Sequence, residues 1–93
     1  MSIAEIIKNS ETTIIDVRTP EEFIGGNVVG SKNIPLNELP ARVDELKGIN
    51  GHIVLCCASG GRSGMATQML QSNGFSNVYN GGGWTDVNFH KNN

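Results

Sequence analysis

The sequence predicts an α/β fold, a small three-layer domain in which a central, mainly parallel sheet carries helices on both faces. Three observations lead there. Residues 12–17, 53–56 and 77–80 are short runs of apolar and β-branched residues, the composition of strands. Segments between them place apolar residues three and four apart behind capping residues, the pattern of helices. Strands that alternate with helices need crossover connections, and crossovers make neighbouring strands parallel. Ninety-three residues bury enough surface for one core, so residues 1–93 are read as one domain.

Each element follows from its residues. Ser2 and Glu5 have the spacing of a capping box, in which each side chain satisfies the other's backbone N–H. A short helix opens there, with Ile3, Ile6 and Ile7 on its apolar face and Asn9-Ser10 at its end. Residues 12–17 are the first strand. Thr19 and Glu22 repeat the capping box, with Pro20 at the first helical position, where the missing N–H costs little. Gly25-Gly26 stops this helix, and residues 28–30 connect onward. Residues 31–34 are extended, since the residue before Pro35 avoids the helical region.

Leu36, Leu39, Val43 and Leu46 recur at helical spacing, with Pro40 in the first turn, and Lys47-Gly48 ends that helix. After the strand at 53–56, Met65, Ala66, Met69 and Leu70 mark a further helix that stops at Asn73-Gly74. Residues 77–80 form the last strand, and Gly81-Gly82-Gly83 is expected to be a turn. Trp84 and Val87 begin a short final helix, and residues 91–93 are expected to fray.

The chemistry is concentrated in Cys56-Cys57-Ala58-Ser59-Gly60-Gly61-Arg62-Ser63-Gly64, which joins a buried strand to a helix start. In open α/β sheets ligands bind beyond the carboxyl ends of the strands, where this loop lies. The first N–H groups of a helix lack partners and sit at the positive end of its dipole, so they favour an anion. They favour a thiolate for the same reason, and Cys57 is expected to ionise below its free value of about 8.5. Cys57 is read as a loop thiol, exposed enough for overoxidation to be a hazard. Cys56 closes the apolar run and is assigned to packing.

Composition excludes several roles. The net charge is −2, and the seven Lys and Arg are scattered, so no nucleic acid partner is expected. No apolar run approaches the ~20 residues of a membrane span, so no membrane partner is expected either. No basic segment followed by an apolar run opens the chain, so no export signal is expected. Two adjacent cysteines with His52 and the distant His90 do not supply zinc-ligand spacing, and neither metal nor organic cofactor is expected. Adjacent cysteines with no third to pair with suit reduced thiols in the cytoplasm.

Four blocks of the sequence resemble the rhodanese family, in the family's order. They are Ile15-Asp16-Val17-Arg18-Thr19-Pro20-Glu21-Glu22-Phe23, the run from Gly26 to Leu36, the loop from Cys57 to Ser63, and Val78-Tyr79-Asn80-Gly81-Gly82-Gly83-Trp84. The resemblance implies a small α/β sandwich around a parallel sheet and a sulfurtransferase that carries sulfane sulfur as a persulfide on Cys57. It implies a cradle made of Ala58, Ser59, Gly60, Gly61, Arg62 and Ser63. The implied substrates are thiosulfate or a persulfide or polysulfide donor, with cyanide, a thiol or a thiol-bearing protein as acceptor, acting in a monomer or weak homodimer. Two departures stand out. The family often has His where this chain has Asn27, and some members have Arg where this chain has Ala58. Lacking that cation, the loop is expected to use thiosulfate poorly.

Plainer roles compete for several of these residues. Arg62 is expected to complement a bound anion, because its forked guanidinium suits oxyanions. Ser59 and Ser63 are turn and cap residues first, with a bond to sulfur second. Gly60 and Gly61 supply backbone conformations closed to other residues. Asp16 and Arg18 are read as partners that fix loops, Trp84 as core and His52 as an exposed turn residue. Gly81-Gly82-Gly83 is no phosphate loop, for no Lys-Ser or Lys-Thr follows it. The rival enzyme is a cysteine phosphatase or arsenate reductase. Counted from Cys56, five residues precede Arg62, as in the tyrosine-phosphatase signature; counted from Cys57, four do, as in the sulfurtransferase loop. The remaining alternative is a non-catalytic sulfur-carrier or protein-interaction module.

Overall fold

The computed structural model describes residues 1–93. In chain order the elements are α1 (Ile3–Lys8), β1 (Thr13–Asp16), α2 (Pro20–Ile24), β2 (Lys32–Asn33), a 3₁₀ turn (Leu39–Arg42), α3 (Asp44–Lys47), β3 (Ile53–Cys57), α4 (Gly61–Ser72), β4 (Val78–Gly83) and α5 (Trp84–Lys91). The four strands form one sheet in the order β2-β1-β3-β4, and every neighbouring pair is parallel. This is the α/β architecture the alternation of strands and helices predicts.

β3 is buried along its whole length, which is why its sequence is an unbroken apolar run. Successive side chains of a strand point to opposite faces. Ile53, Leu55 and Cys57 therefore join Ile15, Leu39, Leu46, Ala66 and Leu70 on one face. Val54 and Cys56 join Ile6, Ile7, Ile14 and Val87 on the other. Each fully buried Ile or Leu contributes about 1.5–3 kcal/mol of apolar burial, so the two layers hold the sheet between helices. The two cysteines thus belong to different layers of the protein.

Both capping boxes form. Ser2 Oγ accepts from Glu5 N–H at 3.2 Å while Glu5 accepts from Ser2 N–H at 2.9 Å. Glu22 accepts from Thr19 N–H at 3.1 Å and donates its own N–H to Thr19 Oγ1 at 3.3 Å.

Four expectations are corrected. Residues 36–46 are not one helix. Pro40 falls in the first turn of the 3₁₀ segment, and a single α-turn follows it, with Leu39 and Leu46 buried. The short turn still delivers the apolar side chains that the periodicity marks. Gly81, Gly82 and Gly83 are not a turn but the end of β4, which carries a bulge: Leu55 pairs with Asn80 and Cys56 with Gly82, leaving Gly81 extra. A Cβ on Gly81 would stand 2.6 Å from Val54 Cγ1 and 2.8 Å from Val87 Cγ2, so the bulge is open to glycine alone. Lys91 is still helical, and Asn92 caps α5 by donating its side-chain N–H to Asn88 O at 2.9 Å. His52 is half-buried, its ring edge-on to Tyr79 at 5.2 Å and its Nδ1 without a partner.

Candidate active site

The site is built where β3 ends and α4 begins. Cys57 is the last residue of β3 and not the first of the loop, and it is 1% exposed. The expected exposed thiol is therefore corrected: the loop folds back over the sulfur. Gly60 makes that possible. It caps α4 with φ of +103°, a left-handed conformation that glycine adopts at little cost. In that conformation its N–H donates to Cys57 Sγ at 3.0 Å. One turn of helix later, the Ser63 N–H and the Ser63 hydroxyl both lie 3.4 Å from the same sulfur.

These donors decide the charge on sulfur. Burial pushes the Cys57 thiol up, but the Ser63 hydroxyl and the N–H groups of Ser63, Ser59 and Gly60 outweigh it and bring it down to about 7. Hydrogen bonds to the charged form favour that form, and here they overcome desolvation. Cys56 shows the converse. No donor reaches it, and burial, with the negative charge of Asp16 and only partial relief from Arg18, pushes it up to about 12.

The Ser63 hydroxyl has one proton and two acceptors within reach. Asn80 Oδ1 lies 2.7 Å away, much closer than the sulfur. The hydroxyl donates to Asn80 Oδ1 by the shorter contact, and a thiolate at Cys57 competes for the same proton. Asn80 also accepts from Gly82 N–H at 3.0 Å and donates to Gly60 O at 3.2 Å. It thereby ties the β4 bulge to the residue whose N–H points at sulfur. Sequence reasoning missed Asn80. The signal was a polar residue between the apolar pair Val78-Tyr79 and a run of glycines.

Of the remaining loop residues, Ala58, Ser59 and Gly61 are exposed and Ser63 is buried. Arg62 is half-buried, and both its terminal nitrogens are engaged: Nη1 donates to Glu22 Oε1 at 2.7 Å and Nη2 to Glu22 Oε2 at 3.0 Å. The Arg62 guanidinium and the Thr19 N–H hold the Glu22 carboxyl down at about 2. Sequence reasoning found Glu22 only as a cap. A pair forty residues apart leaves no local pattern.

Asp16 and Arg18 fix the neighbouring loop. Arg18 Nε donates to both Asp16 oxygens, at 3.0 and 3.1 Å, and Nη2 to Oδ2 at 2.8 Å. Arg18 also donates to the carbonyls of Glu22 and Gly26, and its guanidinium lies 4.8 Å from the centre of the Trp84 ring. All three nitrogens of Arg18 donate, so this buried ion pair holds α2, and with it Glu22, against the sheet. Asn27 donates to Phe23 O at 2.8 Å and serves the same connection. No three His, Cys, Asp or Glu side chains come together to hold a metal ion. No helix is long and apolar enough to cross a membrane. The surface pocket of about 310 Å³ lies elsewhere, between Leu46, Phe75 and Asn77 at the amino ends of β3 and β4.

The model of the Rhodanese-like domain family matches residues 2–88. The chain is 43% identical over 67 residues to the uncharacterized protein YqhL of Bacillus subtilis, covering 72% of this chain and 52% of YqhL, so it spans about half that relative's length. It is 36% identical over 74 residues to the thiosulfate sulfurtransferase PspE of Escherichia coli, covering 78% of this chain and 71% of PspE. Among solved structures, a rhodanese with anions from E. coli superimposes with a TM-score of 0.74 at 34% identity, over 81% of this chain and 89% of that one. A thiol cradled at the end of a parallel strand, a match over nearly the whole chain and these relatives agree: the chain belongs to the rhodanese-like domain family.

Proposed function

We propose that the protein is a sulfurtransferase that carries sulfane sulfur as a persulfide on Cys57, with residues 58–63 as the cradle. One observation carries the reading: Cys57 Sγ faces the Gly60 N–H, the Ser63 N–H and the Ser63 hydroxyl at 3.0–3.4 Å. The Cys57 thiolate attacks the outer sulfur of thiosulfate. A new S–S bond forms, the old one breaks, and sulfite leaves with the bonding pair. A persulfide donor reacts likewise and releases its thiolate. Cyanide or an acceptor thiolate then attacks the terminal sulfur, and Cys57 leaves as thiolate. No general base is needed, because the donors favour the ionised nucleophile. The same fixed donors face the anionic persulfide, an electrostatic preorganisation of the oxyanion-hole kind. The relatives named thiosulfate sulfurtransferase and rhodanese support this chemistry.

The geometry disfavours the phosphatase reading. Cys56, the thiol with five residues before Arg62, is fully buried on the opposite face, without donors and with its thiol pushed up to about 12. A sulfur carrier that serves a protein acceptor without turnover on small donors shares the loading step with the enzyme. Incubation with thiosulfate or a persulfide donor, then with cyanide, followed by intact mass and thiocyanate release, tests the proposal. Loading with one sulfur and repeated thiocyanate release supports the enzyme; one release per chain supports the carrier; no loading contradicts both. Reduced buried thiols suit the cytoplasm, where we place it.

A further inference from the structure

We propose that Glu22 is a specificity-determining residue that biases the cradle away from doubly charged donors such as thiosulfate and toward persulfides of lower charge. This rests on the sulfurtransferase reading. Arg62 is the single cation among residues 57–63. It is the second residue of α4, next to the Ser63 that bonds to sulfur, and the Cys57 charge acts on it. It is thus the group placed to attract an anion to the mouth of the loop. Glu22 takes both of its terminal nitrogens in a bidentate pair, the geometry in which a carboxylate competes best with any other oxyanion.

The pair is neutral, so the cation's long-range pull is cancelled where the donor enters. A second carboxylate adds to this. Asp86 Oδ2 lies 3.6 Å from where a Gly83 Cβ would stand, and Ala58 O lies 2.9 Å from the same point, so the acid borders the loop. Asp86 forms no ion pair. A dianion approaching the mouth therefore meets a paired cation and an unpaired acid. Thr19 holds the Glu22 carboxylate as well, its N–H and hydroxyl donating to Oε1 at 3.1 and 3.2 Å.

Glu22→Gln is the informative change. Its amide oxygen can still accept from Thr19 N–H, as glutamine does in capping boxes, while the negative charge is removed. Initial rates of sulfur loading on Cys57 are measured for thiosulfate and for the persulfide of an uncharged alkyl thiol. The readout is the ratio of the two rates. That ratio does not depend on how much of a variant sample is folded, because both donors report on the same molecules. Glu22→Gln raises the thiosulfate-to-persulfide ratio by about tenfold at low salt, the lower end of electrostatic steering. The gain shrinks in 1 M salt, where screening acts within about 3 Å. Adding Arg62→Gln removes the gain. An unchanged ratio, or a gain that persists without Arg62, would overturn the inference while leaving the sulfurtransferase reading intact. A native protein that loads from neither donor would instead overturn the reading on which it rests.

Discussion

Cys56 and Cys57 sit side by side on β3, one wholly buried and the other 1% exposed. Burial alone would push both thiols up. It does so for Cys56, which reaches about 12, whereas Cys57 comes down to about 7. The strand turns Cys56 into apolar packing beside Val54 and Val87, and Cys57 toward the start of α4, where donors converge. Ionisation here is a matter of which face of a strand a thiol occupies and what the next loop offers it. Exposure decides little.

Removing a donor narrows that contrast. Gly60→Ala puts a side chain on a residue with φ of +103°, a strain of about 1–3 kcal/mol that the loop relieves by turning the N–H away from sulfur. Loading at neutral pH is expected to fall by about ten- to a hundredfold, one to two decades for that strain. An alanine variant that loads at the native rate would show that the Gly60 N–H does not matter. Ser63→Ala removes the hydroxyl and keeps the N–H, so the alkylation midpoint of Cys57 moves up from about 7 and loading at pH 7 drops severalfold. A midpoint that stays put would mean the Ser63 hydroxyl donates to Asn80 throughout.

Stability should record the contrast as well. The Cys57 thiol is lowered from 9.0 to about 7 on folding, so its contribution is present above pH 9 and is lost as pH falls toward 7. That limb is worth about 2–3 kcal/mol for a shift of this size. Cys56 is raised from 9.0 to about 12, so its contribution is present below pH 9 and is lost as pH rises toward 12. Denaturant titrations from pH 6 to 10.5 are expected to show Cys57→Ser losing the rising limb and Cys56→Ser the falling one. Cys56→Ser has the smallest effect on loading. A hydroxyl placed in apolar packing costs about 1–3 kcal/mol, and loading persists.

Much of this was legible in the sequence where the cause is local. The Ser2–Glu5 and Thr19–Glu22 boxes, the apolar run of β3 and the strand-to-helix turn at Gly60 each follow from neighbouring residues. The opposite facing of the two cysteines follows from the two-residue period of a strand. What was not legible depends on pairing across the fold. Glu22 reads as a cap until α4 brings Arg62 to its free oxygen. Asn80 reads as an ordinary strand end until the bulge at Gly81 sets it against Ser63 and Gly60. His52 reads as exposed until Tyr79 of β4 covers one edge of its ring.

On the proposed function, the donors around Cys57, and not the thiol content of the strand, make the sulfur carrier. Intact mass spectrometry of Cys56→Ser and Cys57→Ser after a sulfane donor tests it most directly, with aryl phosphate hydrolysis measured alongside. One added, cyanide-removable sulfur is expected on Cys56→Ser and none on a folded Cys57→Ser. Loading on Cys57→Ser, or phosphate hydrolysis that survives without Cys57 and disappears without Cys56, would contradict it.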